Sequence, residues 1–143
     1  MTDKLKKSEF AVTTYVSQYE LDKLLDILKQ RNYRVIVLDG SSVTTKSALF
    51  AQVEKDFPLP EDYKLVHNWA SFEDSLWNMV FSFEEEQIAI IWSHVERILD
   101  GGLEDLMNAA DVLTTLSRNL YEQQVDLSIF FVGEGSNFQK LHS

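Results

Sequence analysis

A chain of 143 residues with 45% hydrophobic side chains, two prolines and five glycines has the composition of one globular domain, able to bury roughly two-thirds of the surface its unfolded form exposes. It has no cysteine, which excludes a disulfide framework, a thiolate nucleophile and a sulfur-ligated metal, and fits a reducing, cytoplasmic setting. A net charge of −10 disfavours nucleic acid and anionic membranes as direct partners.

In chain order, Met1–Ser8 has lysines but no apolar run behind them, so no secretory signal is expected. Residues 1–17 are read as a tail. Leu21, Leu24, Leu25 and Leu28 recur at helical spacing and predict an amphipathic helix over about 18–31, ended by Arg31-Asn32. Tyr33–Asp39 is a β-branched run closed by Gly40, the pattern of a buried strand. Thr44 or Thr45 can cap the next helix, whose Leu49, Phe50, Val53 and Phe57 share one face before Pro58 and Pro60 stop it. A short helix is expected over Ser71–Phe81 with Phe72, Leu76, Met79 and Val80 inward. Strands follow at 87–92 and 125–132, separated by a long helix over 102–123 marked by Leu103, Leu106, Met107, Ala110, Leu113, Leu116 and Leu120. Strands alternating with helices imply an α/β fold with a three-stranded parallel sheet, buried on both faces and covered by helices. One domain over 18–134 is expected, with a loosely held tail over 135–143. No apolar run approaches the ~20 residues of a membrane-spanning helix.

The charge is localised. Residues 54–105 hold thirteen acids against only Lys55, Lys64 and Arg97, so the whole net charge lies there.

Catalytic readings fail on residue type. Gly40–Ser47 lies between a strand and a helix as a phosphate-binding loop would, but Thr45 stands where a second glycine must let the backbone wrap a phosphate. Asp39, Ser93, His94 and Glu134 gather at the carboxyl ends of the strands, yet Ser93 lacks a glycine-flanked elbow. His67, His94 and His142 are too scattered to ligate a metal. No enzyme activity, cofactor or metal is therefore expected. Glu73 and Asp74 are adjacent, so on a helix they point about 100° apart and cannot converge on one atom. Ser71 with Asp74 instead approximates a capping box that would put both acids in a first turn.

The segment Phe57-Pro-Leu-Pro60, Tyr63, then Asn68-Trp69-Ala-Ser-Phe-Glu-Asp74-Ser-Leu76, following Asp39-Gly40 and closing on Asp126–Phe131, resembles the barstar family over about residues 33–132. The resemblance implies a barstar-like α/β fold with the N-terminal helix as an extension. It also implies a protein inhibitor, a monomer when free, that places carboxylates from a loop and helix into the basic active site of a secreted bacterial ribonuclease. Asp74 matches the family's chief contact. The acid one turn earlier is replaced by Ala70, the acid late in the last long helix by Asn119, and an aromatic residue by Glu73. The resemblance thus implies a basic nuclease or other cationic toxin as partner, met by Tyr63, His67, Asn68, Trp69, Glu73, Asp74 and Asn119. A barstar-fold binding module with a non-toxin partner is the alternative.

Overall fold

The computed structural model describes residues 13–60, 68–99 and 101–141. A strand β1 (Thr14–Ser17) passes through a 3-10 turn into helix α1 (Leu21–Gln30). Strand β2 (Arg34–Asp39) leads to α2 (Lys46–Asp56), and α3 (Trp69–Phe81) precedes β3 (Gln87–Ser93). Helix α4 (Leu103–Glu122), β4 (Asp126–Gly133) and the short α5 (Ser136–Lys140) complete the order.

The sheet is parallel throughout, in the order β1-β4-β3-β2. It has four strands, not the expected three. Thr14–Ser17, read as part of a tail, pairs with β4 from Thr14↔Phe130 to Ser17↔Gly133. Side-chain alternation gives the sheet two apolar faces. One presents Ile36, Leu38, Ile88, Ile90, Trp92, Leu127, Ile129 and Phe131 to α2, α3 and α4. The other presents Ala89, Ile91, Phe130 and Val132 to Leu28 and the flanking leucines of α1. Burial on both faces holds for β3 and β4, whereas edge strand β2 departs from it, with Val37 39% exposed on the α1 side.

Local chemistry sets the boundaries. Asn32 ends α1 in the left-handed region at φ 62°, a conformation a short polar side chain tolerates best after glycine. The Thr45 hydroxyl accepts from Ala48 N at 3.1 Å and starts α2. Gly40 has no substitute: a Cβ there would lie 2.1 Å from the Ser93 carbonyl oxygen and 2.6 Å from Trp92 Nε1. Buried hydroxyls are satisfied locally, Ser75 donating to Phe72 O (2.8 Å) and Ser117 to Leu127 O (2.6 Å).

The long helix expected over 102–123 forms as α4, with Leu106, Ala109, Leu113, Leu116 and Leu120 as its buried stripe; Leu103 and Met107 are exposed, Met107 lying about 100° around the helix from Leu106. One further expectation is corrected. Residues 136–140 are not loosely held: they form α5, and Phe138 is buried among core residues, with its ring 6.2 Å from Tyr15.

Candidate partner-binding surface

Helix α3 begins at Trp69, two residues earlier than expected. Its cap is Asn68, whose Oδ1 accepts from Ser71 N at 2.8 Å. Ser71 is thus inside the helix, and the capping box with Asp74 does not form. Glu73 and Asp74 lie in the second turn, beyond the first-turn N–H groups they were expected to serve. Neither makes a hydrogen bond or ion pair among the described residues, and α3 carries no basic residue.

The inner face of α3 is Phe72, Ser75, Leu76, Met79 and Val80, all buried. That orientation turns Ala70, Glu73, Asp74, Trp77, Asn78 and Phe81 outward over an arc of about 140°. Asp74 is exposed and Glu73 partly so. Trp77 is half-buried and stacks on Phe81, ring centroids 5.0 Å apart and planes 18° apart, while Phe81 is 60% exposed. This stacked pair is absent from the sequence-derived residue set, although its i, i+4 spacing was a readable signal.

The other candidates divide. Trp69 packs edge-on to Phe50 (5.1 Å) and Phe72 (5.8 Å), so its ring serves the core while one side stays open. Asn68 spends its carboxamide oxygen on the cap. Asn119 is exposed near the end of α4, which packs against α3, but no hydrogen bond joins it to the α3 acids. Tyr63 and His67 lie outside the described residues.

The catalytic alternatives gain nothing from the fold. Gly40 is required by its contact with β3, and Lys46 merely opens α2 on the surface. Ser93 Oγ is directed at Leu38 O (3.4 Å), and His94 N donates to Gln18 Oε1 (3.3 Å). Asp39 accepts from Ser41 N at 3.0 Å; that bond to its carboxylate holds it below the usual aspartate range. Glu134 N donates to Glu96 Oε1. Among these four residues no serine–histidine–acid relay is formed. Among the described residues no cluster of metal-ligating side chains occurs, and no helix is long and apolar enough to cross a membrane.

Residues 33–132, from the start of β2 almost to the end of β4, match the family model described as Barstar (barnase inhibitor). Among curated proteins, none matches the chain. The family match runs through every element that builds the acidic helix face, while β1 and α1 precede it and α5 follows it. With 100 of its 143 residues inside that match, the chain belongs to the barstar family.

Proposed function

We propose that this protein binds and blocks a basic nuclease, or a similar cationic toxin, through the outer face of α3 and the loop before it, with Tyr63, His67, Asn68, Trp69, Glu73, Asp74 and Asn119 at the contact. The observation that carries this reading is the pair Glu73 and Asp74, set in the second turn of a helix with no base and without a hydrogen-bond or ion-pair partner among the described residues. A carboxylate buried at an interface is stabilised only when a cation or hydrogen-bond donor meets it, so this face selects cationic partners and rejects acidic ones. A site that holds RNA phosphate supplies such cations. The protein needs no catalytic residue of its own to occlude that site. A cysteine-free chain suits action in a reducing cytoplasm.

The test is capture of partners on immobilised protein, elution by rising salt and identification by mass spectrometry. A basic nuclease is expected, lost from Asp74→Ala, with an association rate that falls as salt screens steering beyond ~8 Å. Equal retention by Asp74→Ala, or a rate flat across salt, refutes the charge-driven interface. One observation favours a binding module with a non-toxin partner: Ala70 and Asn119 are both exposed and uncharged where the resemblance puts acids. A captured basic protein without nuclease activity would decide for that module.

A further inference from the structure

We propose that the stacked Trp77–Phe81 pair is an arginine platform, so that the partner engages α3 through a guanidinium laid on these rings rather than through cationic charge alone. This rests on the inhibitor reading and names what the partner must present. At about 100° per residue, Trp77 and Phe81 lie inside the arc bounded by Glu73 on one side and Asp74 on the other. The rings therefore share their arc with two carboxylates that have no hydrogen-bond or ion-pair partner among the described residues. One turn separates the acids from Trp77 and another separates Trp77 from Phe81, so the arc forms a strip of charge running into aromatic surface.

Folding accounts for half of this pair. Trp77 leans on the core, but Phe81, the last residue of α3, touches it little and is 60% exposed. With Phe81 60% exposed, aromatic surface stays open to solvent along the same arc as the acids. A planar cation satisfies both parts of the strip: its face stacks on a ring and its edge N–H groups reach a carboxylate. A lysine ammonium satisfies only the charge. The molecule already contains this arrangement elsewhere. Arg34 lies 3.9 Å above the Phe83 ring while its Nη1 sits 3.2 Å from Glu85 Oε1. Here the aromatic and acidic parts exist without the arginine, and charge complementarity assigns the missing piece to a basic partner protein.

The test uses the full chain with 15N-labelled tryptophan indoles, titrated with an octapeptide of alternating arginine and glycine and with its lysine–glycine counterpart of equal charge. The Trp77 indole signal should shift saturably while that of buried Trp92 stays fixed, with the arginine peptide bound about fivefold more tightly than the lysine one. Phe81→Ser, at an exposed position that leaves the fold intact, should abolish that preference. Glu73→Gln with Asp74→Asn should weaken both peptides alike. A Trp77 signal that does not move, equal binding of the two peptides, or an arginine preference that survives Phe81→Ser overturns the proposal. If it falls while Asp74→Ala still loses a captured nuclease, the inhibitor reading stands without the platform. If the peptide preference holds and no cationic protein is captured, the inhibitor reading falls and the platform remains.

Discussion

Replacing Asp74 by Asn should leave the fold as stable as before and cost nearly all of the partner affinity, whereas replacing Asn68 by Ala should lower the stability of the fold itself. Asn68 Oδ1 holds Ser71 N at 2.8 Å, and removing such a cap costs about 1 kcal/mol. For 143 residues the unfolding entropy is about 0.3 kcal/mol per kelvin, so that loss lowers Tm by about 3 °C. Asp74 makes no hydrogen bond or ion pair among the described residues. Asn has its shape and nearly its helix propensity, and the substitution removes one negative charge from a segment that carries the entire net charge. Tm should therefore stay within about 1 °C or rise. Binding responds differently, because a cation left unpaired in a desolvated contact costs about 2–5 kcal/mol, or about thirtyfold to several thousandfold in Kd. Differential scanning calorimetry of both variants, with surface plasmon resonance against the captured partner, separates the effects. A 3 °C fall in Asp74→Asn would show that the carboxylate serves the fold, and the assignment of this face to a partner would fail.

Wild-type protein should inhibit barnase poorly, since two uncharged positions at about 1.5 kcal/mol each imply more than a hundredfold loss; that coupling figure was measured on the barnase–barstar pair itself and is borrowed here. Ala70→Asp with Asn119→Glu should restore inhibition of RNA cleavage, and nanomolar inhibition by the wild type would contradict the argument. Gly40→Ala should destabilise by about 3 kcal/mol or more in urea titrations, because its Cβ would meet the Ser93 carbonyl at 2.1 Å, where neither backbone can yield; an unchanged midpoint would show that the 3-10 turn is free to shift. Tyr33 is pushed above its ordinary value of 10.0 by burial, reinforced by its 2.6 Å bond to Asp126. Its folded form keeps a proton that the unfolded chain releases, so the stabilisation is complete below pH 10 and declines as pH rises above it. Tyr33→Phe should flatten that alkaline loss, and an equal slope in both proteins would exclude the Tyr33–Asp126 bond as its source.

Strands β2, β3 and β4 are readable in the sequence because each is a continuous apolar run. Thr14–Ser17 is not, although Val12-Thr-Thr-Tyr-Val16 is rich in β-formers: four residues at a sheet edge become a strand only because β4 offers a partner far along the chain. The start of α3 was ambiguous for a different reason. Asn68 and Ser71 are both capping types three residues apart, and local chemistry does not choose between them. Trp69 decides, since its ring packs against Phe50 and Phe72 only if the helix already includes it. The same two-residue shift moves Glu73 and Asp74 out of the first turn and removes their capping role. The partner-facing rings were hidden by composition, because an aromatic pair at i, i+4 reads equally well as core until the buried face of the helix is known.

The pairing of β1 with β4 has a consequence for the order of synthesis. Roughly a hundred residues separate the two strands, which at ~5–20 residues per second is ~5–20 s of translation. For much of that interval α1 has been made, with Leu21, Leu24, Leu25 and Leu28 on one face, while half of the sheet face that will receive them, Phe130 and Val132, has not. A helix made early is thus among the last to complete its docking. Until the final strand arrives, that leucine face has only the β2 and β3 side of its sheet, with Ala89 and Ile91, to pack against.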